Sequence, residues 1–353
     1  MKSKKLENFF HKKKILITGH SGFTGSWIAL ILDYFGAKIY GLSLSEKNKD
    51  AAYNVLNIKK KLKGEGLFDI RNKKKTSDFI KKINPEIIFH LAAQPLVSEA
   101  YKNTAYTFET NIIGTINLLD SCQNLNNIKS IIVITSDKCY KNNSTEKKNF
   151  LESDPIGAND PYSTSKAAQE LVVETYRNYI FKNKNLLIST ARAGNIIGGG
   201  DVSLNRIVPD YFKSFYSKKR LELRDASSTR PWQFILDVVF GYLTLAVKHK
   251  KSIQGAWNFG PDINNIKVKD LIVILNNLNK NQVKIKYKKN NIRESKYLAL
   301  NSDKSKKILG WKPRYNINKM LTLTSEWYRS LHNYKNLNII SEKQIEDYLK
   351  QLG

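Results

Sequence analysis

Cysteine is nearly absent from this chain: Cys122 and Cys139 are the only two in 353 residues. That number excludes a disulfide framework, and the pair lacks the spacing of a metal site, so no metal is expected. Long apolar runs are missing too. The longest candidates, around Trp27–Phe35 and Ile131–Ile134, are interrupted or short, which argues against a membrane-spanning helix and against membrane insertion. The opening stretch MKSKKLENFFHKKK is basic but has no apolar signal core. A cytoplasmic protein is the expectation. Acidic residues are also few, 31 against 59 lysines and arginines, for a net charge of +28.

An excess of that size can mark a nucleic-acid binder. Here, however, the lysines run from end to end among asparagines and isoleucines, and no basic stretch interleaves with aromatics as a base-stacking surface would. Compositional bias is the expected source of the charge, attraction to an anionic ligand or surface is the alternative, and no nucleic-acid partner is expected. The hydrophobic fraction of 41% and aromatic fraction of 11% fit a globular protein with a substantial core.

Short apolar runs alternate with amphipathic stretches through the first half, the pattern of βαβ units. Strands are expected at 13–18, 38–44, 66–70, 86–92, 130–136 and 185–192, with helices at 23–36, 74–83, 105–124 and 162–182. The fold class is therefore α/β, a doubly wound parallel sheet of Rossmann type with a smaller discontinuous substrate-binding lobe. Residues 1–191 plus about 233–260 are expected to form the larger domain, about 192–232 plus 261–335 the lobe, and 336–353 a C-terminal helical tail.

Directly after the first strand comes TGHSGFTG, with glycines at 19, 22 and 25. Gly19, Gly22 and Gly25 permit a tight strand-to-helix turn, close approach to a pyrophosphate, and close helix–sheet packing. The positive end of the following helix, at Phe23 and Thr24, then attracts phosphate. At the end of the second strand, where an acid would bind the adenosine ribose, stands Ser43, with Glu46 slightly beyond. No arginine is there for a 2′-phosphate, although Lys47 and Lys49 are near. NAD is the expected cofactor and NADP the alternative. Asp69 is placed either to accept from the adenine amino group or to cap the next helix.

Two further stretches carry chemistry. In DPYSTSK, Tyr162 and Lys166 lie four apart, on one helical face. A phenol of pKa about 10 needs help to act as a base, and a lysine cation nearby would favour the phenolate. In ITSDKCY, Ser136, Asp137 and Lys138 close a strand.

With these stretches in hand, the chain resembles the extended short-chain dehydrogenase/reductases of the NAD-dependent epimerase/dehydratase type. More narrowly it resembles their sugar-nucleotide 4,6-dehydratases acting on CDP-glucose. The matching segments are ILITGHSGFTGSW, HLAAQPLV, TSDKCY, DPYSTSKAAQELV, ARAGNIIGGGD, RPWQ and AWNFGP, with SDKSKKILGWKP later. The resemblance implies conversion of CDP-glucose to CDP-4-keto-6-deoxyglucose: oxidation at C4, loss of water across C5–C6, and return of the hydride to C6. It implies Tyr162 as the base at the 4-hydroxyl and Asp137 as the acid at the leaving oxygen. Lys138 occupies the place of the base at C5, and is either that base or a cation stabilising the enolate.

The same resemblance adds Ile70, Leu91, Ala92 and Ala93 to the cofactor site, and Gln94 and Asn195 to that of the nucleotide sugar. Arg230 suits bidentate binding of a diphosphate, with Arg206 and Arg293 as weaker candidates. The family commonly forms homodimers, here through 104–122 and 162–182. Thr24, Ser98, Phe234 and Asn301 depart from the family's usual lysine, arginine, histidine and aspartate. Those departures bear on cofactor affinity and on nucleotide or sugar preference more than on reaction type. A dehydratase or C4 epimerase of a TDP-, UDP- or GDP-linked sugar stays open as the alternative. A basic RNA- or surface-binding protein would have no use for the Ser136–Lys138 and Tyr162–Lys166 set.

Overall fold

The structure is a computed structural model that describes residues 2–142, 147–223, 225–262, 266–280, 282–287 and 297–353. Its centre is a seven-stranded sheet: β1 (Lys14–Thr18), β2 (Lys38–Ser43), β3 (Gly64–Leu67), β4 (Ile87–His90), β5 (Ser130–Ile134), β6 (Leu187–Ala193) and β7 (Gly255–Phe259). All pairings are parallel, and the spatial order is β7-β6-β5-β4-β1-β2-β3. The order reverses between β1 and β4, which opens a crevice at the carboxyl ends of the strands.

A parallel sheet must be covered on both faces, and the strand residues divide accordingly. Ile15, Ile17, Ile39, Phe89, Ile132 and Ala191 belong to one core with the helices Phe23–Tyr34 and Ile235–Lys248. Their neighbours Leu16, Leu42, Ile88, Ile131, Val133 and Ile188 belong to a second core with Lys73–Ile83, Gly114–Cys122 and Pro161–Thr175. Alternation of side chains along each strand produces this split.

Three short parallel ladders build the region beside the crevice: Ile196–Ile197 with Gln233–Phe234, Leu221–Leu223 with Ile285–Tyr287, and Asn149–Phe150 with Ala299–Leu300. Helices Ile207–Ser217 and Val268–Leu278 accompany them. Their apolar residues Tyr211, Phe212, Leu221, Leu271 and Leu275 merge with the first sheet core.

Some elements differ from expectation. The third strand starts and stops earlier, because Gly64 and Glu65 pair with β2 while Phe68 turns to pack edge-on against Phe79. The expected 105–124 helix widens into a π turn at Glu109–Ile113. There Asn111 reaches the Gln94 backbone and Ser165. The basic opening segment is a helix, Ser3–Phe10, held by Leu6 and Phe10. The terminal helix begins at Leu337 and docks on the sheet core. Tyr348 stacks on Phe240 at 4.7 Å and donates to Asp237 Oδ1 at 2.7 Å. No described helix is long and apolar enough to cross a membrane.

Candidate active site

The crevice is a cavity of about 1790 Å³. Its walls include Gly19, Gly22, Phe23, Thr24, Gly25, Ser43, Asp69, Ile70, Leu91, Ala92 and Ala93 toward β1–β4, and Ser136, Asp137, Lys138, Tyr162, Lys166, Asn195, Arg206 and Arg230 toward β5 and the lobe. Residues separated by two hundred positions thus share one cleft.

The turn after β1 is built for close approach. A Cβ on Gly25 would collide with the Gly19 carbonyl oxygen, and Gly19 itself has φ +75°. Gly22 heads the Phe23–Tyr34 helix without a side-chain cap. The first-turn amides of cavity-lining residues therefore stay available to an anion. Of the residues flanking the expected adenosine end, the Ser43 hydroxyl donates to Leu44 O at 3.0 Å. Asp69 does not cap the following helix, which Asn72 does. Asp69 instead accepts from the Arg71 amide and guanidinium at 2.9–3.1 Å. Its partial burial is outweighed by these bonds, which hold its pKa below the ordinary value.

At the end of β5 the chain turns into a short 3₁₀ segment, Asp137–Cys139, capped by Ser136, whose Oγ accepts from the Lys138 amide at 3.2 Å. The Ser136 hydroxyl donates to Asp137 Oδ1 at 3.0 Å. Burial pushes the Asp137 carboxyl up to about 6, against the opposing pull of the Lys138 cation, the Ser136 bond and Arg230. Its second oxygen, Oδ2, has no partner among the described residues.

Tyr162 stands on the first turn of the Pro161–Thr175 helix, which Asp160 caps by accepting from the Ser163 amide at 3.0 Å. Burial pushes its phenol up to about 12, moderated by a hydrogen bond with Ser136 and by the Arg206 cation. This differs from the expected arrangement, in which Lys166 was to lower Tyr162. Burial pulls the Lys166 ammonium down to about 8, with Glu170 opposing. It donates to Gln169 Oε1 at 3.0 Å and to Ile134 O at 3.3 Å. Behind it runs a buried chain of polar contacts: Gln169 to Thr115, Thr115 to His90, His90 to Thr18 at the end of β1, at 2.7–2.9 Å. Burial and the Lys166 charge lower His90 to about 3, so the imidazole is neutral.

One turn beyond Lys166, Glu170 is clamped by Arg192 of β6 through two bonds, at 2.9 and 2.8 Å, with both side chains buried. Thr135 and Thr190 also donate to Glu170, at 2.5 and 2.7 Å. The helix bearing Tyr162 and Lys166 is thereby tied to the strand bearing Ser136.

Among the other expected residues, Asn195 lies on the cavity wall and Arg206 pairs there with Asp201 at 3.1 Å. Arg230 also lies on the wall, donating to Thr229 O at 2.9 Å. Gln94 is turned into its own loop, donating to Thr107 and Leu96 O and accepting from the Leu96 amide. Arg293 lies outside the described residues. His90, Asn111, Thr115, Gln169, Glu170 and Arg192 escaped sequence reasoning. Only the polarity of Glu170 and Arg192 inside otherwise apolar segments signalled them.

The pattern of the GDP-mannose 4,6 dehydratase family matches residues 16–324. A CDP-glucose 4,6-dehydratase of Salmonella typhimurium is 33% identical over 353 aligned residues, covering 97% of this chain and 98% of that protein. Among solved structures, an epimerase from Methanothermobacter thermautotrophicus is similar with a TM-score of 0.81 and 21% identity, covering 94% and 96% of the two chains. A dTDP-glucose 4,6-dehydratase from Streptomyces venezuelae, solved with NAD and TYD bound, has a TM-score of 0.79 at 20% identity, covering 92% and 99%. The two structural likenesses establish the fold.

Two outcomes test this geometry. Arg192→Met should cost about 3–5 kcal/mol in denaturant unfolding, because it strands a buried carboxylate, and the double change with Glu170→Met should recover much of that loss. For Asp137 the folded pKa lies above the unfolded one. Its contribution is present below about pH 4 and lost as the pH rises through about 6. Asp137→Asn should therefore be more stable than the parent in denaturant unfolding at about pH 8, by at most about 3 kcal/mol, with the gap closing near about pH 4.

Proposed function

The chain belongs to the GDP-mannose 4,6 dehydratase family, and from that premise we propose that it converts CDP-glucose to CDP-4-keto-6-deoxyglucose. One observation carries the reaction type: a buried acid, Asp137, is hydrogen-bonded to Ser136 through one oxygen and has the other without a partner among the described residues, on the wall of the cavity that the candidate base Tyr162 also lines. An epimerase has no need of an acid at C6. The choice of CDP-glucose rests on the Salmonella relative.

The glycine turn and uncapped helix start fit the pyrophosphate of NAD, with Ile70, Leu91, Ala92 and Ala93 along the same wall. When bound, NAD supplies a hydride acceptor for C4 and the hydride later delivered to C6. In this reading Tyr162 takes the 4-hydroxyl proton, helped by Ser136 and Arg206. Lys166, oriented by Gln169, holds a ribose hydroxyl of the cofactor. The 4-ketone acidifies C5–H, and Lys138 either removes that proton or stabilises the enolate. Asp137, protonated below about pH 6, protonates the departing 6-hydroxyl. Asn195 and Arg230 bind the diphosphate, and Arg206, whose charge acts on the Tyr162 phenol, is a further candidate for that anion.

In the same reading, residues 1–191 with about 233–260 hold the cofactor, and about 192–232 with 261–335 close over the nucleotide sugar. Exposed Tyr101, Ile113, Leu171, Tyr179 and Ile180 lie on or next to the 104–122 and 162–182 segments. Apolar side chains on those segments support a homodimer formed there. A cytoplasmic location fits these substrates.

The direct test gives the protein CDP-, TDP- and UDP-glucose and GDP-mannose in deuterated water and follows mass. Loss of one water from CDP-glucose with one deuteron gained at C5 is the expected outcome. The same signature on another nucleotide would replace the cytidine assignment, and inversion without water loss would mean an epimerase. Lys138→Met should still form reduced cofactor while C5 exchange stops; full turnover would remove Lys138 from the chemistry. For the homodimer, sedimentation should give twice the 40.5 kDa chain mass, and Leu171→Glu should shift it toward the monomer.

A further inference from the structure

Tyr242 sits on the Ile235–Lys248 helix, behind the strands that carry the reacting residues. Its ring is wholly buried in the sheet core, edge-on to Phe259 with centroids 5.5 Å apart. Its hydroxyl, however, has no hydrogen-bond partner among the described residues, although Tyr242 reaches the cavity wall. A buried unpaired hydroxyl costs on the order of 1–3 kcal/mol, and a phenylalanine would fill the same space without that cost.

The second orphan of the region is Asp137 Oδ2. One orphan is a donor and the other an acceptor when ionised. They belong to one locale, since the charges of Asp137 and Tyr162 both act on the Tyr242 phenol. The space beside Oδ2 is kept open by Gly194, where a Cβ would stand 3.0 Å from that oxygen and 2.5 Å from Pro231 Cγ. Two unpaired polar atoms on the wall of a substrate cleft, both donors once the Asp137 carboxyl is protonated, call for a group that can bond to both. A hydroxyl of the sugar does so.

We propose that Tyr242 is a catalytic residue of the elimination step, a fixed hydrogen-bond donor to the oxygen that leaves C6, acting opposite Asp137. The inference rests on the dehydratase reading above. In the step, the proton at C5 goes first to the base, leaving its electron pair in the enolate of the 4-ketone, and that pair then becomes the C5=C6 bond. The C6–O bond breaks with its pair on oxygen, and that oxygen takes the Asp137 proton to leave as water. Tyr242 transfers no proton. Burial raises its pKa well above the ordinary value, so it remains a donor throughout. Its bond strengthens as charge gathers on the departing oxygen, which is how a donor accelerates a step rather than only binding substrate.

The test is Tyr242→Phe in the full NAD-loaded protein, beside the parent, with CDP-glucose in deuterated water. Expected is a melting temperature equal to or above the parent's, since the change deletes an unpaired polar group. kcat should fall by about 10- to 100-fold, with KM changing by less than about 3-fold. In a single turnover, reduced nicotinamide should accumulate and C5–H should exchange while water loss lags. A parental rate of water loss would overturn the proposal. So would a failure to reduce the cofactor, which would place the hydroxyl at the Tyr162 step, or a clearly lower melting temperature, which would mean a structural partner. A parent protein that dehydrates no nucleotide sugar would overturn the dehydratase reading itself; an active parent with an equally active Tyr242→Phe overturns this inference alone.

Discussion

The bidentate clamp between Glu170 and Arg192 is the contact on which the site's geometry depends. It crosses from the helix bearing Tyr162 and Lys166 to β6, and through Thr135 it also holds the end of β5, one residue before Ser136. A buried ion pair adds little net stability, because desolvation offsets most of the attraction. What it adds is register. With five N–H donors in a planar fork, Arg192 also donates to Tyr140, which in turn donates to Asn258 on β7. Three neighbouring strands and one helix are therefore positioned around one carboxylate. A shift of the helix by one turn would leave that charge unpaired, so the phenol, the ammonium and the serine keep their relative places.

In front of the clamp, burial is the leading influence on Asp137, Tyr162 and Lys166. It lifts Asp137 to about 6 and Tyr162 to about 12, and pulls Lys166 down to about 8. All three move toward their neutral forms, as desolvation requires. Glu170 behaves oppositely, its pKa lowered, because its burial is outweighed by the bonds from Arg192 and the two threonines. The difference divides the interior into a charged scaffold with matched partners and a reacting layer held toward its neutral forms, in which Asp137 and Lys166 titrate nearest to neutral pH. In the reacting layer, Asp137 Oδ2 and the Tyr242 hydroxyl are left without partners, and substrate is the natural source of the missing bonds.

Much of the fold was legible because it is written in local patterns. Apolar runs such as Ile15–Ile17 and Ile131–Ile134 lie in strands, and glycines at 19, 22 and 25 mark the turn after the first of them. Ser136, Asp137, Lys138, Tyr162 and Lys166 were identifiable by type and spacing, and they line one cavity. Gln94 was less transparent. Its motif suggested a substrate contact, yet its amide is occupied by Leu96 and Thr107, because the loop must satisfy its own buried backbone. The relation of Lys166 to Tyr162 was also different from what four-residue spacing implied, since Gln169 and Ile134 O compete for the ammonium.

Taken alone, then, the sequence determined the first six strands of the sheet and the main helices between them, the phosphate turn and the types of reacting residues, because those depend on neighbours within a few positions. Only the tertiary structure decided which distant groups meet. It set His90 behind Lys166 through Thr115 and Gln169, and used a π turn to bring Asn111 to Ser165. It also packed Tyr348 of the last helix onto Phe240 and aimed an unpaired Tyr242 into the cleft. Side-chain burial is a property of the assembled sheet and its covering helices. The displaced pKa values of Asp137, Tyr162 and Lys166 have no counterpart in the linear chain.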